Sequence, residues 1–437
     1  MASFSLHSHP STFPFYYSSL STPSNSWRCI NFQFRTSKIS CCLSIQELND
    51  VKSDADVNDN LRVVFAAGGT GGHIYPAVAI ADELKIINPT TQILFMGSQN
   101  SMESSSVPSA GYDFVSVTTV PLYRPLLSPK NLLLPYRLIK SLIQCHSALK
   151  DFNPDIVVGT GGYVSFPTCL AAALWGIQVV IQEQNSVPGI ANWVLSFLAE
   201  KVFVAFNSTI ECFPRKDKCI ACGNPVRLSL RTYVSKAVAR FNFFPRLRKE
   251  EEAKARVLLV LGGSFGANAI NIAMLNLYYQ MLMEKHNLFI IWQTGVEAFN
   301  EMESLVRNHP HLLLTPFLHS IDLAYAAADL IVSRAGAMTC YEILATGKPA
   351  ILIPSPNVAE GHQFKNASLM ADVAGSRVII EDELDSITLG TTIEQILGNE
   401  GLMAEMSERA FKAAKPGASA EIAQHILSLV ESSTQKK

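Results

Sequence analysis

The chain has 437 residues, which is too long for one ordinary hydrophobic core and predicts two domains behind a leader. Hydrophobic residues make up 48% of it and charged residues only 16%, a composition that excludes a chain disordered throughout. The formal net charge of −2, with no basic run interleaved with aromatic residues, argues against a nucleic-acid partner.

The first 46 residues have the composition of a transit peptide. They contain no aspartate or glutamate, are rich in serine, and carry Arg28, Arg35 and Lys38 without the apolar core of a secretory signal. Because serine is abundant and arginine sparse, we expect import into a chloroplast, and the alternative is an ordinary disordered N-terminus. The acidic stretch that begins at Glu47 is predicted as a linker, so that leader and linker together occupy residues 1–59.

The strand and helix signals that follow form two halves with the same opening. Apolar runs at 61–67 and 256–261 end in the glycine-rich sequences 68–73 and 262–268, and a helical pattern follows each of them. Further strands are predicted at 92–97, 155–159, 178–182, 201–205, 288–293, 312–315, 330–333, 350–354 and 377–380. This alternation predicts an α/β protein with two Rossmann-like domains, at 60–227 and 256–437, joined by a charged linker at 228–255. The last helix, near 418–432, is free to pack on either domain.

Each glycine-rich turn at the start of a helix presents bare backbone N–H groups to an anion such as a phosphate. Neither turn is a Walker sequence or a complete dinucleotide fingerprint, so hydrolysis of a nucleoside triphosphate is not favoured. More polar groups follow other strands, at 160–163, 183–185, 223–227 and 333–339. Since the carboxyl ends of parallel strands share one edge of a sheet, we expect these groups to meet there. Glu342, one turn into the last of these helices, is a candidate for gripping a ribose diol.

Nine cysteines are scattered through the chain. Cys219 and Cys222 form a CxxC sequence, but no second pair of ligands accompanies them in the sequence, as a zinc site requires. We interpret them as thiols near a loop, in preference to a redox pair.

Taken together, these blocks resemble the MurG family, the bacterial N-acetylglucosaminyltransferases that complete the lipid-linked disaccharide precursor of peptidoglycan. The blocks are 68–73, 160–165, 183–185, 223–227, 262–267, 333–342 and 362–367, and they follow the family's order from about residue 62 to 425. The resemblance implies a GT-B fold, with two parallel sheets facing a cleft. It also implies an acceptor in the first domain and UDP-N-acetylglucosamine in the second.

By position, the resemblance assigns donor contacts to Thr70, Gly71, Gly72, Asn185, Arg227, Gly263, Ser264, Gly266, Leu318, Ala337, Met338, Thr339, Cys340, Tyr341, Glu342 and Gln363. Acceptor contacts are expected at Gly72, His73, Tyr163 and Asn192. One departure is Phe265, which stands where the family usually has glutamine. It removes a polar group near the diphosphate but leaves the backbone N–H groups in place.

An inverting transfer needs a base for the acceptor hydroxyl and stabilisation of the departing diphosphate. His73 is the predicted base, because the positive end of a helix dipole keeps an imidazole neutral. Glu183 is the second candidate, either as the base or as the residue that orients His73. The alternative is that His73 only bonds a loop carbonyl. No Asp-x-Asp sequence ends a strand, so neither a metal nor another cofactor is expected.

No segment is predicted to span a membrane, but residues 122–149 mix leucines with basic residues. Leu133, Leu134, Arg137 and Lys140 in particular predict peripheral contact with an anionic bilayer. Because the leader predicts import into a chloroplast, the expected membrane is the inner envelope or the thylakoid. An amphipathic core helix is the alternative. The expected partners are UDP-N-acetylglucosamine and a polyprenyl-pyrophosphate-linked muramyl peptide.

Three other functions remain open from the sequence. A plastid galactolipid synthase would use UDP-galactose and diacylglycerol. A UDP-sugar-binding module without catalysis would fit the departure at Phe265, and a nucleotide-sugar epimerase would need no lipid acceptor.

Overall fold

The computed structural model describes residues 61–99, 101–123, 128–357 and 361–434. The predicted leader and linker at 1–59 therefore lie outside the described residues. Within the described part, none of the helices combines the length and the hydrophobicity needed to cross a bilayer.

The first domain is built on a seven-stranded sheet in the order β3-β2-β1-β4-β5-β6-β7, and every ladder in it is parallel. Its strands are β1 Arg62–Ala67, β2 Gln92–Gly97, β3 Asp113–Ser116, β4 Ile156–Gly161, β5 Gln178–Glu183, β6 Lys201–Val204 and β7 Cys219–Ile220. Its helices are α1 Gly71–Ile87, α2 Met102–Ser109, α3 Leu134–Phe152, α4 Ser165–Leu174, α5 Ile190–Leu195 and α6 Asn207–Ile210, with short 3-10 turns at Pro129–Leu133 and Lys216–Lys218.

The second domain is built on a six-stranded parallel sheet in the order β10-β9-β8-β11-β12-β13. Its strands are β8 Arg256–Leu261, β9 Leu288–Gln293, β10 Leu312–Thr315, β11 Leu330–Ser333, β12 Ala350–Leu352 and β13 Arg377–Val378. Its helices are α7 Lys236–Phe243, α8 Lys249–Glu252, α9 Asn268–Leu275, α10 Tyr278–Glu284, α11 Phe299–Leu305, α12 Ile321–Ala327, α13 Ala337–Thr346, α14 His362–Ala374, α15 Ser386–Leu397 and α16 Glu400–Ala413; 3-10 turns lie at Leu228–Arg231 and Glu381–Glu383.

Each sheet is covered on both faces by apolar side chains, as a parallel sheet requires. Two hydrophobic clusters flank the first sheet and two flank the second. The predicted α/β architecture of two Rossmann-like domains is confirmed. The short strands β3 and β7 were not predicted, because two to four residues carry too little of an alternating pattern.

The stretch 228–255, predicted as a linker, is part of the second domain. Helix α7 packs against α12, and Ala239 and Phe244 are buried in the core of that domain. The buried Arg240 forms an ion pair with Asp329 at 2.7 Å. The charged residues that indicated a linker therefore include members of a buried polar network, which a sequence pattern does not distinguish from exposed charge.

The chain crosses between the domains twice. It first passes from β7 through 221–227 to the second domain, and it returns after α16 in the helix α17, Ala418–Thr434, which packs on α1. Ile422 and Ile426 of α17 are buried in the same cluster as Ile80 and Leu84 of α1. The last helix is thus part of the first domain's core.

Candidate active site between two sheets

A cavity of about 390 Å³ lies at the carboxyl ends of the strands of both sheets. In each sheet the strand order reverses beside the first strand, between β1 and β4 or between β8 and β11. Such a reversal leaves a crevice in which open parallel sheets bind ligands. Two crevices therefore face one another across one cavity.

Most of the predicted donor-contacting residues line this cavity. They are Thr70, Gly71, Gly72, Arg227, Gly263, Ser264, Gly266, Leu318, Met338, Thr339, Glu342 and Gln363. Phe265, the residue that departs from the family pattern, lines it as well and is 57% exposed.

Four residues predicted to contact the donor do not line the cavity. Asn185 bonds Glu183 through both its backbone N–H and its amide, and Ala337 is buried. Cys340 lies in the hydrophobic core, and Tyr341 packs on Phe206 of the first domain while its hydroxyl donates to the Ala205 carbonyl. Consecutive residues of a helix point in different directions, so residues 337–342 cannot all face the cavity. The family resemblance assigned donor contacts to the whole block, and the structure places only Met338, Thr339 and Glu342 of it in the cavity wall.

The glycine-rich loop after β8 is open to an anion. The N–H groups of Ser264, Phe265 and Gly266 have no hydrogen-bond acceptor in the described part of the chain. The side chain of Gln293 fixes the loop, donating to the Gly263 carbonyl at 2.9 Å and accepting from the Leu318 N–H at 3.1 Å. The first turn of α13 adds further free N–H groups and the positive end of a helix dipole at Met338 and Thr339. This arrangement can hold a diphosphate.

Arg227 and Glu342 place one positive and one negative charge in the cavity wall. The Arg227 guanidinium lies 3.4 Å from the centroid of the Tyr75 ring, and its Nε, 4.0 Å from Glu342 Oε1, has no hydrogen-bond partner in the described chain. Glu342 accepts a hydrogen bond from Tyr325 at 3.0 Å. Burial raises the pKa of Glu342, and the Arg227 charge opposes that shift. Arg227 is thus available to an anion, and the fixed Glu342 carboxylate to a pair of hydroxyls.

Sequence reasoning missed several cavity residues. Tyr75, Phe317, Ile321 and Ser355 line the cavity with Gln293. Phe317 and Ile321 follow β10, and apolar side chains at a ligand edge are suited to the flat face of a base. Their position directly after a predicted strand was the available signal. Ser355 donates its backbone N–H to Gln363 Oε1 at 2.9 Å, which leaves the Gln363 amide N–H groups for a ligand.

His73 is the third residue of α1 and follows the cavity-lining Gly71 and Gly72, but it does not itself line the cavity. Its Nδ1 lies 3.0 Å from the Gly68 carbonyl oxygen, an acceptor that fixes the proton of a neutral imidazole on Nδ1. The lone pair of Nε2 is then free to accept a proton. Burial lowers the pKa of His73, against the opposing influence of the Gly68 carbonyl, Glu183 and Glu103. The bond to a loop carbonyl, the alternative role for His73, is therefore compatible with a role as a base.

Two glycines, the last residue of β4 and the one after it, leave room for this histidine and its loop. A Cβ on Gly161 would lie 2.7 Å from His73 Cδ2, and a Cβ on Gly162 would lie 2.1 Å from the Gly68 carbonyl oxygen. Both glycines also have positive φ angles, of 108° and 90°. Thr160 Oγ1 donates to the His73 carbonyl at 2.8 Å. The loops after β1 and β4 thus form one rigid unit around His73.

Glu183 is not placed to act as the base. Its buried carboxylate accepts four hydrogen bonds, at 2.8 to 3.1 Å, from Asn185, Gly189 and Asn192. None of its hydrogen bonds within the described chain goes to His73, so it influences that residue only through its charge. Asn192, predicted to contact the acceptor, is buried and held by this carboxylate, whereas Tyr163 is 52% exposed beside the loop. The sequence could not distinguish a catalytic carboxylate from one that organises a loop.

The glycine-rich loop after β1 carries a buried carboxylate behind it. Glu103 accepts hydrogen bonds from Gly69 N at 3.2 Å and from Ser98 N at 2.9 Å, and its side chain is fully buried. One N–H group that would bind phosphate is therefore occupied, and a negative charge lies close by. The loop after β1 is therefore less suited to a phosphate than the loop after β8, although Thr70, Gly71 and Gly72 line the cavity.

Comparisons with known proteins agree with this geometry. Residues 63–204 match the glycosyltransferase family 28 N-terminal domain, and residues 257–422 match the family's C-terminal domain. The chain belongs to glycosyltransferase family 28. The predicted relationship to MurG and the prediction of a glycosyltransferase are confirmed.

Similar family 28 members span nearly the whole chain after residue 60. An N-acetylglucosamine transferase of Salinibacter ruber is 40% identical over 371 residues, which cover 85% of this chain and 97% of that protein. The name of that protein gives UDP-N-acetylglucosamine as one substrate and N-acetylmuramyl-(pentapeptide) pyrophosphoryl-undecaprenol as the other. A protein of the same name from Flavobacterium psychrophilum is 38% identical, over 86% of this chain and 99% of its own.

Solved structures show the same fold. The crystal structure of Acinetobacter baumannii MurG aligns with a TM-score of 0.62 at 28% identity, over 85% of this chain and 99% of that one. A UDP-GlcNAc 2-epimerase from Neisseria meningitidis, bound to UDP-GlcNAc, aligns with a TM-score of 0.58 at 15% identity, over 84% of this chain and all of its own. At that identity the likeness to the epimerase shows a common architecture and no common reaction.

Proposed function

We propose that this family 28 enzyme transfers N-acetylglucosamine from UDP-N-acetylglucosamine to the muramyl sugar of a lipid-pyrophosphate-linked peptidoglycan precursor. The observation that carries the proposal is the single cavity that brings a phosphate-binding loop of one domain against a histidine-bearing loop of the other. The near full-length similarity to transferases named for these substrates supports it. The likeness to a UDP-GlcNAc 2-epimerase, at 15% identity, supports only a common fold.

In this mechanism the second domain holds the nucleotide. The loop at 263–266 and the first turn of α13 bind the diphosphate, Arg227 adds a positive charge, and Glu342 binds the ribose diol. His73 Nε2 removes the proton of the acceptor hydroxyl as that oxygen attacks the anomeric carbon. The bond from that carbon to the diphosphate breaks, and the N–H groups of the loop stabilise the charge that UDP carries away.

The decisive assay combines purified full-length protein, radiolabelled UDP-N-acetylglucosamine and lipid-linked muramyl pentapeptide. We expect label in the lipid fraction and release of one UDP for each sugar transferred. UDP-galactose with diacylglycerol is the matched alternative pair. Transfer to diacylglycerol, or isomerisation of the donor without any lipid, would replace the proposal with one of its rivals. Binding of UDP without turnover on either acceptor would identify a non-catalytic binding module.

We propose that the transfer needs no metal ion, since Arg227 and backbone N–H groups are suited to neutralising the diphosphate. The expected result is turnover in EDTA that stays within about twofold of the untreated rate, because a metal that stabilised the leaving group would contribute far more. Restoration of a lost activity by Mg²⁺ or Mn²⁺ would contradict this part of the mechanism.

We further propose that the first domain docks on an anionic membrane. Along α3 and the turn before it, Leu132, Tyr136, Ile139 and Ile143 are 59% to 84% exposed. Trp193 in α5 and Phe197 just after it are also exposed, at 41% and 50%. Of the residues predicted for this contact, Leu133 is 55% exposed, Leu134 and Arg137 are partly buried, and Lys140 is exposed. Exposed apolar groups flanked by cations suit the headgroup region of a bilayer. Arg124, Leu126 and Leu127 lie outside the described residues.

Vesicle flotation tests this contact. Ile139→Ser with Ile143→Ser should abolish flotation on vesicles that contain anionic lipid, while leaving the thermal melting temperature unchanged. Ile387→Ser is the matched control, because Ile387 is 76% exposed in the second domain. Equal flotation of the two variants would exclude this surface as the docking site.

The composition of residues 1–46 supports a chloroplast location, on the inner envelope or the thylakoid membrane. Incubation of the full-length chain with isolated chloroplasts should give a shortened, protease-protected product. A chain that stays full-length and protease-sensitive would contradict the proposed location without affecting the proposed reaction.

A further inference from the structure

The two cysteines of the CxxC sequence lie on opposite faces of the first sheet. Cys219, in strand β7, packs against the cluster that includes Val202 and Phe213, whereas Cys222 is buried in the cluster formed with α1 and α17. The two thiols therefore do not form a local pair. Cys222 instead faces residues almost two hundred positions further along the chain.

Those residues are Glu421 and His425, four positions apart on α17. A spacing of four residues places two side chains on the same face of a helix. The His425 ring stacks on Phe203 with centroids 5.6 Å apart, which restricts the plane of the imidazole. One atom each from the Cys222 thiol, the Glu421 carboxylate and the His425 ring all lie within 4.8 Å of one another.

This set of donors matches the preferences of zinc. Thiolate sulfur, imidazole nitrogen and carboxylate oxygen are its usual protein ligands, and bond lengths of about 2.0 to 2.3 Å place tetrahedral ligands roughly 3.4 to 3.6 Å apart. The three atoms, within 4.8 Å of one another, would have to move closer by about 1 Å to bind the ion. Glu421 is exposed, which gives a metal ion and a water as fourth ligand a route to the site.

We propose that Cys222, Glu421 and His425 bind a Zn²⁺ ion that fastens α17 to the first domain. The ion would lie outside the cavity, so its role is structural. Cys222 directly precedes the segment that leads to Arg227, and Lys415, just before α17, donates to the Ala221 carbonyl at 3.0 Å. The metal would therefore join the two segments that cross between the domains.

Binding of the metal must displace a proton from the thiol. Burial, followed by the charge of Glu421, raises the pKa of Cys222 to about 12, so the thiol is protonated without metal at neutral pH. The reaction is Cys222–SH plus Zn²⁺ giving Cys222–S–Zn⁺ plus H⁺, and affinity should rise with pH. The positive charge of Lys415 opposes the rise in the Cys222 pKa.

Cobalt titration of the EDTA-treated full-length protein tests the proposal, because a thiolate bound to Co²⁺ has a near-ultraviolet charge-transfer band. We expect one equivalent of Co²⁺ to produce the band and one equivalent of Zn²⁺ to remove it. Cys222→Ser should abolish the band, and His425→Ala should weaken metal binding more than about 10-fold. Cys212→Ser is the matched control, since Cys212 is an exposed free thiol outside the cluster.

Glu421→Gln separates a loss of metal binding from a loss of folding, because Glu421 lies at the surface. It should keep the wild-type circular dichroism and melting temperature in EDTA, yet lose most of the melting-temperature increase that Zn²⁺ gives the wild type. The proposed site would be overturned if the wild type gave no charge-transfer band. It would also be overturned if the band survived Cys222→Ser or was lost in Cys212→Ser. A wild type that gains no thermal stability from stoichiometric Zn²⁺ would overturn the structural role.

Discussion

The two glycine-rich loops begin alike in sequence and differ in what the fold places behind them. Behind the loop at 68–73 lies the buried Glu103 carboxylate, which occupies the Gly69 N–H, and His73 projects from the helix that follows. Behind the loop at 262–266 lies Gln293, a neutral side chain that fixes the loop and leaves its N–H groups free. The same kind of turn therefore carries a buried carboxylate and a histidine in one domain and unoccupied N–H groups in the other.

The largest expected effect concerns the histidine of the first loop. His73→Gln should lower kcat by about 10²- to 10⁴-fold, the usual contribution of a general base, with UDP affinity within about twofold of wild type. Steady-state transfer assays and calorimetric titration with UDP measure the two quantities. His286→Gln, a change at an exposed histidine of the second domain, is the control. If UDP affinity fell as much as kcat, His73 would be a donor-binding residue instead.

The next effect concerns the carboxylate of the second domain. Glu342→Gln should weaken UDP binding about 10- to 100-fold, because hydrogen bonds to a charged group contribute about 1.5 to 3 kcal/mol. Comparing UDP with 2′-deoxy-UDP makes the test specific, since the preference of the wild type for UDP should shrink in the variant. An undiminished preference would show that the ribose does not contact Glu342.

A third test makes the second loop resemble the first. Phe265→Glu places a carboxylate at the open loop and should weaken UDP binding about 10-fold through repulsion of the diphosphate, while uridine binding stays unchanged. Phe265→Gln, the neutral match and the usual family residue, should retain UDP affinity. Equal losses for UDP and uridine would indicate a steric effect and remove the electrostatic contrast between the loops.

The smallest effect is a shift in pH dependence. Burial lowers the pKa of His73 below its ordinary value of 6.5, so kcat/KM should fall only as the pH drops through that lowered pKa. The Glu103 charge acts in the opposite direction, so Glu103→Gln should move the acidic limb to still lower pH. Transfer rates measured from pH 5 to pH 8, with melting temperatures to verify folding, test this. A limb that moves upward would contradict the electrostatic relation between the two residues.

The sequence by itself determined the two-domain α/β architecture, the family and most of the cavity wall. Those conclusions depend on local chemistry: apolar runs form buried strands, and glycines mark the tight turns where helices begin. Positions such as Ser264 and Glu342 line the cavity because both follow strands whose carboxyl ends share one edge.

Only the tertiary structure decided which polar groups remain free, because that depends on partners distant in the chain. Glu183 looked like a reserve base until four donors were seen to occupy it, and 228–255 looked like a linker until Arg240 was found paired with Asp329. In the same way, Cys222 acquired its neighbours on α17 through packing alone. Burial and hydrogen-bond pairing are properties of the folded chain. A local sequence pattern contains no information about which distant residues will contact it after folding.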